Sequence, residues 1–182
     1  MRRAKSDVLQ KLKGRFITGR LGANVLWAWH GCAPENARQI VDAGFANLSL
    51  TDPGWHGSGG YLSLEAEYAC AYASNYPGPV QPGRDGWCVI LCLVVLGVTY
   101  PVTLCAEDFF SVPSMGGAPS PQDCKLYGRP MQRGFDSHVV AVKRYAQDGN
   151  FLAAATSQHT EFNELVLDQD GQILPVAVVW FC

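Results

Sequence analysis

The sequence predicts an α+β fold built on antiparallel sheet. Short β-branched runs outnumber helical patterns, the helical patterns fall between the early strands, and no strand–helix–strand alternation recurs that would build a parallel sheet. A length of 182 residues suits one domain over 1–182 with a sizeable core. Charged residues make up 16% of the chain, and 19 glycines and 11 prolines supply many turns. Neither a disordered chain nor a coiled coil has that composition.

Taken in order, Ser6 is placed to cap a helix over Asp7–Lys13, with Val8, Leu9 and Leu12 on one face. Residues 1–24, this helix and its lead-in, carry Arg2, Arg3, Lys5, Lys11, Lys13, Arg15 and Arg20, which read as a solvated basic helix face. Val25–His30 is an apolar strand ending on a His-Gly pair. Pro34 opens a helix over Glu35–Asp42 at the position where a missing N–H does no harm, Gly44 stops it, and Ile40 and Val41 are expected to face the core. Residues 46–60 form a glycine-rich loop that includes His56 and Ser58, and glycine there lets backbone approach a ligand closely. Tyr61–Ser63 is extended and Leu64–Ser74 helical; 77–86 is a turn-rich loop. Trp87–Gly97 and Thr99–Leu104 read as adjoining strands, Ala106–Lys125 as an irregular loop, and Phe135–Val142 as another strand. After a polar excursion over Lys143–Thr160, Phe162–Leu167 and Ile173–Phe181 read as a closing hairpin around the turn Asp168-Gln169-Asp170-Gly171.

A net charge of −2 implies no general attraction to nucleic acid or anionic membrane. Cys32, Cys70, Cys88, Cys92, Cys105, Cys124 and Cys182 are odd in number and lack metal-ligand spacing, so they read as buried free thiols in a reducing compartment. The longest apolar run, Trp87–Tyr100, is too short to span a bilayer, and the amino terminus has no signal-like apolar run. An intracellular protein, cytoplasmic or nuclear, is expected.

Glu164 interrupts a strand otherwise made of Phe162, Leu165, Val166 and Leu167. A carboxylate there needs either an exposed face or a function, because desolvating it costs stability. His30 at a strand end and Tyr61 after the glycine loop are the other polar groups in apolar surroundings. Each alone reads as a packed side chain.

With their flanks these residues resemble the catalytic domain of the poly(ADP-ribose) polymerase (PARP) family of ADP-ribosyltransferases, of the His-Tyr-Glu type. Leu26-Trp27-Ala28-Trp29-His30-Gly31-Cys32 looks like the family's strand-ending His-Gly, with Cys32 where Thr is usual. Gly57-Ser58-Gly59-Gly60-Tyr61-Leu62-Ser63 is similar to its glycine loop and tyrosine, with different apolar flanks. Glu164 is followed eight residues on by Gln172-Ile173-Leu174-Pro175, as in the family's third motif. Tyr127-Gly128-Arg129-Pro130 and Gly134-Phe135-Asp136-Ser137-His138 also resemble the segment before its closing strands.

The resemblance implies a split antiparallel β-sheet with flanking helices, lacking the helical regulatory subdomain of the DNA-damage-responsive members. It implies a cleft for NAD+ as co-substrate and no metal. Gly31 would hold the nicotinamide carboxamide by its backbone, His30 a ribose hydroxyl of the adenosine half. Tyr61 would line the nicotinamide ribose pocket, Tyr72 would stack on the nicotinamide, and Glu164 would bind the ribose 2′-hydroxyl. Ala69 stands where a carboxamide-binding Ser is common, which removes one hydrogen bond. Glu161, on the opposite strand face, is the poorer catalyst.

Cleaving ribose from a cationic nicotinamide builds oxocarbenium character, which a carboxylate on the 2′-hydroxyl stabilises. The implied activity is transfer of ADP-ribose, by family habit one unit, to an acceptor. A protein acceptor is expected, nucleic acid is not indicated, and the loops 106–125 and 143–160 would border it. An inactive NAD- or ADP-ribose-binding or protein-interaction module, or an NAD glycohydrolase, is the alternative.

Overall fold

The computed structural model describes residues 2–13, 15–16, 24–46, 53–74, 86–113, 119–144, 151–152 and 160–181. Three helices accompany the strands: α1 (Arg2–Lys13), α2 (Pro34–Ala43) and α3 (Ala66–Ala73). The strands are β1 (Val25–Cys32), β2 (Gly60–Ser63), β3 (Trp87–Val95), β4 (Thr99–Val102), β5 (Ser137–Arg144), β6 (Phe151–Leu152), β7 (Phe162–Leu167) and β8 (Ile173–Phe181). They form one sheet in the order β4-β5-β7-β2-β1-β3-β8, with β6 paired to β5. The expected α+β class holds, but the sheet is mixed, because β4 and β5 run parallel.

Pairing is uneven along that order. β1 and β3 match over eight positions, from Val25↔Val95 to Cys32↔Cys88, and β5 and β7 over six, from Ser137↔Leu167 to Val142↔Phe162. Between β1 and β2 only Trp29↔Ser63 pairs. Two well-laddered blocks therefore meet at a one-residue seam, and the sheet opens beside it.

Period-two alternation sends the strands' side chains to two cores. On one face Val139, Ala141, Leu165 and Leu167 join Ile90, Cys92 and Val94, with Val8 and Leu12 of α1 and Ala37 of α2 packed over them. On the other, Val140, Val142 and Val166 join Phe109, Phe162 and Tyr68 of α3.

Several expectations need correction. Phe162–Leu167 and Ile173–Phe181 are both strands, but they are not a hairpin. β7 is held between β2 and β5, and β8 pairs with β3 at the far edge. Gly171 takes no left-handed conformation, so the mirror-image turn of a tight hairpin is absent. Instead Asp170–Gln172 makes a 3-10 turn, and Gln172 Nε2 donates to Val95 O at 3.0 Å, tying the crossing segment to β3. Nor do the runs from Trp87 and Thr99 adjoin: β3 and β4 lie in different blocks, because Gly97, at φ 59°, turns the chain toward β5.

Helix α1 begins at Arg2, leaving Ser6 inside it rather than capping it. Burial of Val8 and Leu12 and the bond from Lys5 Nζ to Asp108 Oδ1 at 2.9 Å hold the earlier turn in place. In α2, Pro34 and Gly44 bound the helix as expected, with Gly44 N–H donating to Ile40 O. The buried face runs through Ala37 to Ile40, and Val41 just beyond it is exposed.

Six cysteines are free thiols; Cys32, Cys88, Cys92 and Cys124 are buried, Cys70 and Cys105 half-buried. Cys182, residues 17–23 of the lead-in, 47–52 of the glycine-rich loop and 77–85 of the turn-rich loop lie outside the described residues, as does most of the 143–160 excursion. Among the described residues no helix is long and apolar enough to cross a membrane.

Candidate active site

The opening beside the seam is a cleft of about 260 Å³. His30 and Gly31 reach it from β1, Tyr61 from β2, Ala69 and Tyr72 from α3, and Glu164 from β7. All six residues singled out in the sequence thus line one cleft. Their convergence follows from the topology, since β2 bridges β1 to β7 and α3 follows β2 directly and packs back against β1.

The orientation of His30 is fixed. Its Nδ1–H donates to Tyr61 O at 2.7 Å, and Phe45 meets the ring edge-on with centroids 4.9 Å apart. Burial lowers its pKa, outweighing the carbonyl bond that raises it. The ring is therefore neutral at neutral pH, with Nε2 left as an acceptor suited to a hydroxyl donor. Gly31 sits where β1 has passed its last paired position with β2, and its missing side chain lets α3 close on the strand.

Tyr61 lines the cleft and also braces the loop before it. Its hydroxyl donates to Gly57 O at 2.7 Å and accepts the His56 N–H at 2.8 Å. The ring borders the cleft while the hydroxyl organises the glycine loop. That loop is further pinned to the 127–130 segment: Ser58 N–H donates to Arg129 O at 2.8 Å and Gly128 N–H to Gly54 O at 3.1 Å. The Tyr-Gly-Arg-Pro stretch thus serves as a backstop for the loop.

Glu164 pairs with Ser63 on one side and Val140 on the other, and only 8% of it is exposed. Each carboxylate oxygen receives a donor. His56 Nδ1 lies 2.8 Å from Oε1, and Tyr68 OH donates to Oε2 at 2.7 Å. Two donors answer the desolvation cost of the carboxylate and leave further acceptor capacity on each oxygen. The Tyr68 hydroxyl is pushed far above the ordinary phenol range, first by burial and then by the neighbouring Glu164 charge, so it remains a donor.

Sequence reasoning gave neither donor a role. Tyr68 lies one helical turn before Tyr72, a spacing that puts both on one face of α3 and could have marked it. His56 carried no comparable signal beyond its place in the glycine loop. Its ring is stacked on Trp55 with centroids 5.6 Å apart, and its carbonyl accepts the Nδ1–H of His138 at 2.7 Å. His138 in turn accepts the Gln132 N–H on Nε2, and burial lowers its pKa first of all, so it buttresses the loop as a neutral ring.

Chemically, the cleft offers a buried carboxylate with spare lone pairs, a neutral histidine acceptor, open strand backbone at Gly31 and the half-exposed ring of Tyr72. That set suits a flat neutral or cationic ring joined to a polyhydroxyl sugar. No protein-family model matches the chain, and comparison with curated proteins finds no match.

Proposed function

We propose that the protein is an NAD-dependent ADP-ribosyltransferase that cleaves the nicotinamide–ribose bond and passes a single ADP-ribose unit to a protein acceptor. The observation that carries this reading is the convergence of Glu164 with His30, Gly31 and Tyr72 around one cleft. Nicotinamide would lie on Tyr72 with its carboxamide against Gly31, and His30 Nε2 would accept from a ribose hydroxyl. A free lone pair of Glu164 would take the 2′-hydroxyl of the nicotinamide ribose. As the C1′–N bond breaks, its electron pair leaves with nicotinamide, which departs neutral and needs no acid. Positive charge then builds on the ribose, where the carboxylate stabilises it. The acceptor nucleophile bonds to C1′ and gives up its proton to water.

The free thiols suit a reducing, intracellular compartment. A binding module is the second reading. It is favoured by Ala69, which brings no hydroxyl to the cleft, and by the prior engagement of both Glu164 oxygens.

The deciding experiment is nicotinamide release from labelled NAD, with label transfer to a cell lysate, for wild type and Glu164→Gln. The variant should retain its fold and lose about 10²- to 10³-fold in release, the scale for removing one charge-stabilising group. Label on protein supports the transferase, and free ADP-ribose alone would replace it by a glycohydrolase. NAD bound in calorimetry but never consumed would establish the binding module.

A further inference from the structure

We infer that His56 is the positioning residue of the catalytic carboxylate, its Nδ1–H holding Glu164 Oε1 so that the remaining lone pairs face the reacting ribose. This deepens the transferase reading and rests on it. A carboxylate oxygen can only accept, so the 2.8 Å contact makes Nδ1 the protonated nitrogen. Tyr68 holds the other oxygen at 2.7 Å, and the two donors arrive from separate elements, the glycine loop and α3. Together they remove the rotation of the carboxylate about its terminal bond.

His56 is not explained by packing. It is 2% exposed, and its Nε2 is buried without a partner among the described residues, as is Nε1 of the stacked Trp55. An apolar ring would fill that space with no orphaned nitrogen, so the position favours histidine for what Nδ1 does. The surrounding bonds aim that atom. Tyr61 OH accepts the His56 N–H, His138 donates to the His56 carbonyl, and the Trp55 stack fixes the ring plane. A side chain held at both backbone groups and one ring face can direct a hydrogen bond within the tolerance that transition-state stabilisation requires.

The test compares His56→Ala, His56→Asn and His56→Gln in nicotinamide release, with thermal unfolding of each. Asn carries its N–H₂ the same number of bonds from Cα as Nδ1, whereas Gln does not. His56→Ala should lower kcat by about 10- to 100-fold, the scale of a hydrogen bond to a charged group, with KM little changed. His56→Asn should recover most of that loss and His56→Gln should not. Should Ala fail to fold, the Asn and Gln pair still separates the roles. Equal losses in Asn and Gln, or a wild-type kcat in Ala, would overturn the proposal. Independently of turnover, long-range ¹H–¹⁵N spectra should show His56 Nδ1 protonated, and a bare Nδ1 would refute the contact itself. A protonated Nδ1 in a protein that never releases nicotinamide would instead remove the transferase reading, and with it the catalytic meaning of the clamp.

Discussion

Gly31 on β1 and Ala69 on α3 lie backbone to backbone: a methyl group at Gly31 would run into the Ala69 carbonyl oxygen and stand 3.1 Å from the Ala73 nitrogen. No flexible side chain can yield there, so α3 itself would have to move. Gly31→Ala should cost about 1–3 kcal/mol, the scale of overpacking, and lower Tm by about 2–4 °C per kcal/mol. Because α3 carries Tyr68 and Tyr72, the proposed binding of NAD should weaken as well. Gly171→Ala is the control, since nothing lies within 4 Å of that position and its backbone is not left-handed. Unchanged melting of Gly31→Ala would show that α3 is free to shift outward.

What could be read from the chain was local or motif-borne. The ends of α2 follow from Pro34 and Gly44, whose backbone effects need no partner, and the strand segments from β-branched runs. Of the six cleft residues, His30, Tyr61 and Glu164 stood out as polar groups in apolar surroundings, and Gly31, Ala69 and Tyr72 were reached only through the resemblance to the PARP family. Sheet order was not legible, because it rests on pairings between segments that carry equally apolar patterns. β7 sends Leu165 and Leu167 to one core and Phe162 and Val166 to the other, and nothing in Phe162–Leu167 states that its neighbours are β2 and β5 rather than β8. The Glu164 donors illustrate the same limit, lying 108 and 96 residues away along the chain.

Acid should destabilise the fold through His30 and His138. Burial lowers both from the ordinary value of 6.5, so between the folded value and 6.5 the unfolded chain binds protons that the native state refuses. Their contribution is complete above 6.5 and is lost as pH falls below it, at up to about 1.4 kcal/mol per pH unit for each ring. Lys5 adds no slope in this range. Burial tends to lower its pKa, but the bonds to Tyr100 and Asp108 prevail and hold it above the ordinary lysine value. Chemical denaturation from pH 8 to 5 should give a plateau and then a decline, and His138→Gln should make the decline shallower. Stability that stays level from pH 7 to 5 would mean that the folded protein accepts a proton on both rings.

Ala69 offers a gain-of-function test of the nicotinamide pose. It is buried, borders the cleft and sits where the resemblance to the PARP family places a carboxamide-binding hydroxyl. Ala69→Ser adds that group to a helix at a propensity cost of about 0.5 kcal/mol, so Tm should fall only slightly. If the carboxamide rests against Gly31 across from α3, the new hydroxyl gains one hydrogen bond worth about 0.5–1.5 kcal/mol, and KM for NAD should drop by about 2- to 10-fold. The helix provides a competing partner, because the Ala69 N–H bond to Glu65 O is long at 3.4 Å and a serine hydroxyl could turn back to that carbonyl. A soaked nicotinamide structure separates the cases. A hydroxyl on the carboxamide with a lowered KM supports the pose. An unchanged or higher KM with nicotinamide bound elsewhere in the cleft would mean that Gly31 meets a different part of the ligand.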